Sequence, residues 1–169
     1  GDFVDYFRVD DRHVGFYMAD VSGHGAASAF VTVMLNTLVT HYRDALWQSG
    51  DDTILHPQRT LQRLNHELCR QNLDKHLTLF YGVIDLEQHS MRYSNGGQFP
   101  YPLQYDGHEV QTLECRGRPV GLFEDAEFMV WESDLPQDCA LVLVSDGILE
   151  LMTEETMLRR YSTLLSGVK

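Results

Sequence analysis

An apolar run, Val14-Gly15-Phe16-Tyr17-Met18-Ala19, leads into Asp20-Val21-Ser22-Gly23-His24-Gly25, and a second apolar run, Ala26-Ala27-Ser28-Ala29-Phe30-Val31-Thr32-Val33-Met34-Leu35, follows at once. No other stretch constrains the fold as much. The first run reads as a buried strand and the second as a buried helix. The chain must therefore pass from strand to helix at a carboxylate, through a turn that holds two glycines. Glycine permits tight backbone turns and the close approach of a ligand. A carboxylate at a sheet rim is costly to bury unless it meets a cation.

Two further acids have the same setting. Asp2 follows Gly1, and Asp146 ends the run Ala140-Leu141-Val142-Leu143-Val144-Ser145 ahead of Gly147. Each acid alone reads as a turn or cap residue. Taken together, three strand-edge aspartates from distant points suggest one hard-metal site, and oxygen ligands favour Mg²⁺ or Mn²⁺.

The remaining elements follow from periodicity. Residues 1–19 read as a hairpin with Asp10-Asp11 at its turn. A long buried helix is expected over 25–47, ended by Ser49-Gly50-Asp51-Asp52, and Pro57 suits the first turn of a second helix whose core stripe is Leu61, Leu64 and Leu68. Strands are expected over 78–84 and 90–94 around the turn 86–89. A second hairpin is expected over 100–105 and 110–113 around Asp106-Gly107. Further strands fall at 128–131 and 141–144, and a closing helix at 153–165. Two long helices among many antiparallel strands give the α+β class.

Composition narrows the function. The chain has 169 residues, 43% of them hydrophobic, which suits one globular domain with a sizeable core. A net charge of −12 argues against nucleic acid and against anionic membrane surfaces as partners. No apolar run reaches membrane-spanning length and no signal peptide is present, so no membrane association is expected. Cys69, Cys115 and Cys139 are odd in number and lack metal-type spacing, and a reducing cytoplasm is the simpler reading. No Walker A pattern or Gly-x-Gly-x-x-Gly follows a strand, which sets nucleotide binding aside.

The same residues carry a family resemblance. Gly1-Asp2-Phe3 with Asp5, DVSGHG at 20–25, Leu77 to Asp85, Tyr93-Ser94-Asn95-Gly96-Gly97, Gly117-Arg118-Pro119-Val120-Gly121-Leu122 and SDG at 145–147 resemble, in order, the SpoIIE/RsbU branch of the metal-dependent serine/threonine protein phosphatases (the PPM family). The opening segment is most similar to phosphatase output domains of bacterial response regulators, including those that govern the general stress sigma factor. The resemblance implies an αββα sandwich, two antiparallel sheets flanked by helices. It also implies a strand ahead of residue 1, and one beyond residue 169 with an Asp-Asp-x-Thr-type motif and one more metal ligand. The single domain over 1–169 is thus expected to be truncated at both ends relative to the family.

The resemblance further implies two Mn²⁺ or Mg²⁺ ions, with Asp20 bridging, the Val21 carbonyl on one ion, Asp2 helping to hold that ion and Asp146 holding the other. Metal-activated water then replaces a side-chain nucleophile, in keeping with a chain that shows no Cys-His or Ser-His-Asp constellation. Ser22 lacks the Gly-x-Ser-x-Gly frame of a nucleophile elbow, because position 20 is Asp. Asp5, His24 and Gly147 are expected to lie around these ligands without themselves holding an ion. His24 reads either as a general acid or as a loop residue bonded to the backbone. Asp5 reads either as a partner of metal waters or as a cap of the hairpin, and Asp85 as a structural turn residue.

Two departures stand out. Many relatives read Asn-Ala-Gly-His where this chain has Asn95-Gly96-Gly97-Gln98. Many also carry acids after the second Asp-Gly, where Ile148-Leu149-Glu150-Leu151-Met152 is apolar and reads as core or as a partner-binding surface. Arg116, Arg118, Arg159 and Arg160 are the candidate basic clusters. The expected activity is dephosphorylation of phosphoserine or phosphothreonine on a regulatory protein such as an anti-sigma-factor antagonist. An upstream receiver or sensor domain is expected, and a homodimer is left open. The alternative is a catalytically degenerate module that docks a sigma factor or its regulator as an adaptor.

Overall fold

The computed structural model describes residues 2–150 and Ser166. The helix expected over 153–165, Leu151, Met152, Arg159 and Arg160 lie outside the described residues. The chain forms two compact units. One holds the residues up to Gln98 together with Arg116–Asp134, and the other holds Phe99–Cys115 and the residues from Leu135 on.

The first unit is built on a five-stranded sheet. Strands β1 (Asp2–Arg8), β2 (His13–Val21), β3 (Leu77–Asp85), β4 (Ser90–Gly96) and β7 (Trp131–Asp134) lie in the order β1-β2-β3-β4-β7, and every neighbouring pair is antiparallel. The hairpin β1–β2 closes where Asp10 Oδ1 accepts the backbone N–H groups of Arg12 (2.8 Å) and His13 (2.6 Å). This is the turn chemistry that Asp favours. The pleat sends Phe3 and Phe7 towards the hydrophobic core, and leaves Asp2, Val4 and Tyr6 on the other face.

Helices α1 (Ala26–Ser49) and α2 (Pro57–Gln71) pack on the core. In α2 the stripe is as its spacing predicts: Leu61, Leu64 and Leu68 are buried, with Thr60 and Asn65 beside them. Helix α1 differs from expectation. Only Ser28, Val31, Leu35, Val39 and Tyr42, one face at helical spacing, are buried. Phe30 (53% exposed), Val33 (64%) and Trp47 (70%) face outward. A nearly all-apolar sequence hides which stripe meets the core, since periodicity is its only marker. Trp47 donates its indole N–H to the Val9 carbonyl at 3.2 Å. A 3-10 turn over Asp52–Leu55, not expected from the pattern, joins the helices, with Asp51 capping it through Thr53 N.

Asn65 of α2 also secures the segment that follows the second unit's first stretch. Its Oδ1 accepts Gly121 N at 2.8 Å and its Nδ2 donates to the Phe123 carbonyl at 2.9 Å. Val120 makes a two-bond bridge with Leu77. Gly117 lies so close to Asn95 that a β-carbon would stand 1.6 Å from the Asn95 carbonyl oxygen. Only glycine fits there.

The second unit contains a three-stranded antiparallel sheet in the order β6-β5-β8, formed by β5 (Leu103–Tyr105), β6 (Val110–Thr112) and β8 (Ala140–Val142), and a short helix α3 (Gly147–Glu150). The β5–β6 hairpin turns at Asp106-Gly107 as expected, with Asp106 Oδ1 accepting His108 N and Glu109 N. Two boundaries moved. The strand expected at 128–131 begins at Trp131, because Phe128 belongs to the core rather than to a ladder. The strand expected at 141–144 ends at Val142. Among the described residues no helix is long and apolar enough to cross a membrane.

Asp85, expected to be structural, ends β3 in a tight charge cluster. Arg12 Nε and Nη2 donate to it at 2.8 and 2.6 Å, and the Gln88 and Glu87 amides donate at 2.9 and 3.0 Å. The Arg12 hydrogen bonds, then those of the two amides, hold its carboxyl well below the usual carboxylate range. A depressed folded-state pKa contributes stability above the ordinary carboxylate value of about 3.9, and that contribution is lost as pH falls through the folded value. Asp85→Asn should therefore lower Tm by about 2–5 °C at neutral pH. The gap between variant and wild type should begin to shrink below about pH 4 and close only at strongly acidic pH, below the depressed folded value. Thermal melts from neutral to strongly acidic pH check this, and a gap that stays constant would refute the role of Asp85 ionisation.

Candidate metal centre

The register of β1 on β2 sets Asp2 directly opposite Asp20, and that of β2 on β3 sets Thr78 opposite Asp20. Directly opposed residues present their side chains on the same face of a sheet. Asp2, Asp20 and Thr78 thus form one row at the end of the sheet where β2 runs into α1. Asp20 lies one residue inside β2, which extends to Val21, rather than just after the strand. Like charges set directly opposite each other destabilise a strand pair. Two carboxylates so placed are a donor set suited to a hard divalent cation.

The loop after Asp20 is secured through Ser22. Its backbone N–H donates to the His76 carbonyl at 2.9 Å, its hydroxyl accepts the His76 N–H at 3.1 Å, and its carbonyl accepts the Ser28 hydroxyl at 3.1 Å. These contacts prolong the β2–β3 pairing by one residue and tie it to the first turn of α1. Ser22 is structural, as the missing elbow frame implied. Gly23 then takes φ +74°, a left-handed conformation that glycine adopts without strain, and Gly25 caps α1.

The other predicted residues fall as follows. Val21 pairs with Leu77 and its side chain is buried in the core. Asp5, three residues from Asp2 on the strand, lies on the opposite face, among Phe7, Tyr17 and Arg43. It neither caps the hairpin, which Asp10 does, nor shares a face with Asp2. Its Oδ1 accepts the Tyr6 N–H at 2.8 Å, and its charge adds to burial in raising the Tyr17 hydroxyl pKa. His24 is exposed, and its ring has no hydrogen-bond partner among the described residues, so the backbone-bonded reading is not what the structure shows. Asp146 and Gly147 belong to the second unit. Asp146 is exposed just ahead of α3, whose Gly147 is its first residue, and Ile148 N donates to the Ser145 carbonyl at 3.2 Å.

The Asn95-Gly96-Gly97-Gln98 departure has a structural account. Asn95 Oδ1 accepts Gln98 N at 2.7 Å, and Asn95 Nδ2 donates to the Gln98 carbonyl at 3.0 Å, closing a buried turn. The Thr78 hydroxyl donates to Gln98 Oε1 at 3.0 Å. Gln98 is therefore linked to the row that contains Asp20. Sequence reasoning missed Thr78, since nothing in a strand of apolar and β-branched residues marks which one will face an acid on the neighbouring strand. It also missed Lys75, whose signal was compositional: the chain has only two lysines, Lys75 and Lys169.

The fold is an antiparallel α+β arrangement, and the opposed acids at its sheet end define a candidate site for a hard cation. The family model described as "Stage II sporulation protein E (SpoIIE)" matches residues 10–169, and the chain belongs to that family. It is 29% identical over 164 residues to phosphoserine phosphatase RsbU of Bacillus subtilis (strain 168), a match that covers 95% of this chain and 46% of RsbU. It is 28% identical over 155 residues to phosphoserine phosphatase RsbP of the same organism, covering 89% of this chain and 36% of RsbP. The chain thus spans less than half the length of these relatives. The crystal structure of the RsbU and RsbW domains of Rv1364c from Mycobacterium tuberculosis superposes with a TM-score of 0.77 at 20% identity, covering 98% of this chain and 44% of that one.

Replacing the Ser22 hydroxyl should leave the His76 amide without its acceptor. Ser22→Ala is expected to cost about 1 kcal/mol of stability in urea denaturation and to speed amide exchange at His76. Unchanged exchange at His76 would contradict the anchoring role of the hydroxyl.

Proposed function

We propose that this chain is the catalytic domain of a metal-dependent serine/threonine phosphoprotein phosphatase in bacterial signalling. The observation that carries the reading is the pair Asp2–Asp20, opposed across β1–β2 where the DVSGHG motif begins, in a chain of the SpoIIE family. Asp20 is assigned as the ligand shared by two Mn²⁺ or Mg²⁺ ions, with Asp2 and the Val21 carbonyl on one ion and Asp146 of the second unit on the other. Bound there, the ions would neutralise a phosphomonoester dianion and supply an activated water.

The chain's own residues provide the frame. Ser22 holds the strand end against His76, so that Asp20 and Val21 cannot shift independently of β3. Thr78, hydrogen-bonded to Gln98, limits the space beside Asp20. The substrate class is a phosphoserine or phosphothreonine on a regulatory protein of the anti-sigma-antagonist type. Support comes from the two relatives named phosphoserine phosphatase and from a structural neighbour that carries an RsbW domain. A cytoplasmic location and an upstream receiver or sensor domain belong to the same reading.

Asp20→Asn removes one ligand charge without changing side-chain volume. It should lower Mn²⁺-dependent hydrolysis of a phosphoserine protein by at least about 100-fold, and weaken Mn²⁺ binding in calorimetry, with the circular dichroism spectrum unchanged. Equal turnover in variant and wild type would overturn the metal assignment. A folded wild-type chain, taken with the rest of its protein, that binds the regulator but shows no Mn²⁺-dependent turnover would identify an adaptor instead.

A further inference from the structure

The geometry points to Lys75 as the residue that contacts the phosphoryl group of the substrate. This rests on the phosphatase reading above. A β-carbon placed on Gly23 would stand 2.8 Å from Lys75 Nζ, so the ammonium occupies the space that the missing side chain leaves open, over the loop that begins at Asp20. The two bonds between Ser22 and His76 fix the neighbouring residues on both sides. Lys75 is half-buried there, at the rim of a cavity of about 230 Å³ that Asn72, His76, Gly121 and Glu124 also line.

The charge distribution singles this lysine out. Arg12, Arg43, Arg59, Arg63, Arg70 and Arg118 each lie beside a carboxylate. Arg8 and Arg92 donate to backbone carbonyls. Among the described residues only Lys75 and Arg116 are lysine or arginine side chains with neither kind of partner, and Arg116 is exposed on the segment beside Gly117. In a chain of net charge −12, an ammonium left unpaired in a half-buried place is unusual. Beside a loop that binds divalent cations it would repel them. The arrangement makes electrostatic sense when an anion lies between, and a phosphomonoester dianion is the anion that the reaction brings. A lysine serves such a group as a compact, mobile point charge.

The chain's two lysines allow a direct test. Acetylation of Lys75 by limiting acetic anhydride is followed by mass spectrometry, with Lys169 as the internal reference, in the presence of Mn²⁺ and with inorganic phosphate as the probe. Phosphate should slow labelling of Lys75 by about threefold or more relative to Lys169. In kinetics on a phosphoserine protein, Lys75→Ala should raise KM about tenfold with kcat within about twofold, the mark of binding shared by ground and transition states. Lys75→Arg should restore most of the loss, which a role in packing alone would not produce. Phosphate-independent labelling in a chain that does show Mn²⁺-dependent turnover overturns the Lys75 assignment and leaves the phosphatase reading intact. Protection of Lys75 without any turnover supports the anion contact and overturns the phosphatase reading. Loss of both overturns both.

Discussion

The site depends on how β2 is held as it leaves the sheet. Strand pairing fixes Asp20 opposite Asp2 and Thr78, and that register would count for little if the following residues were free to peel away. Ser22 prevents this with bonds in two directions, to His76 ahead of β3 and to Ser28 in the first turn of α1. Since α1 is 24 residues long and buries a stripe from Ser28 to Tyr42, the anchor is continuous with the core. A carboxylate presented this way loses little conformational freedom when it takes up a ligand, and preorganisation of that kind lowers the cost of binding.

How far this was legible from sequence differs between elements. The hairpin β1–β2, both long helices, the β3–β4 pair and the turn at Asp106-Gly107 follow from period and punctuation, signals that are local. The strand at Trp131–Asp134 does not, because Phe128 is as apolar as a strand residue and goes instead to the core. Helix α1 shows the same limit: a run of Ala, Val, Phe, Met and Leu announces burial without saying which face, and Phe30 and Val33 turn out exposed.

The site was legible as a set of residues, not as an arrangement. Asp2 and Asp20 were marked by their glycine contexts and by the family motif, but their opposition is a property of register, and a slip of one residue would put them on different faces. Asp5 illustrates the cost of reading proximity in sequence as proximity in space, since three residues along a strand reverse the face. Gln98 illustrates the opposite case. It stands where many relatives have His, and its backbone and side chain are used to close the Asn95 turn and to receive the Thr78 hydroxyl. A residue with those bonds keeps the row in place without needing to titrate.

The two ends of β2 divide the charges of the first unit between structure and function. His13 and Asp20 are seven residues apart on one strand, roughly 23 Å at the usual rise per residue. At the His13 end, acids and bases satisfy one another: Asp85 with Arg12, Asp10 with His13, and, around the nearby 3-10 turn, Asp52 with His56 and Arg59 and Asp51 with Arg63. These acids accept hydrogen bonds from their partners, and the Asp85 and Asp51 carboxyls are held in their ionised forms by the bonds they accept. At the Asp20 end two carboxylates face each other, and the cation beside their loop, Lys75, forms no ion pair among the described residues. Facing carboxylates with a lysine beside their loop are the donor set that the proposed binding of divalent cations together with a phosphate would need.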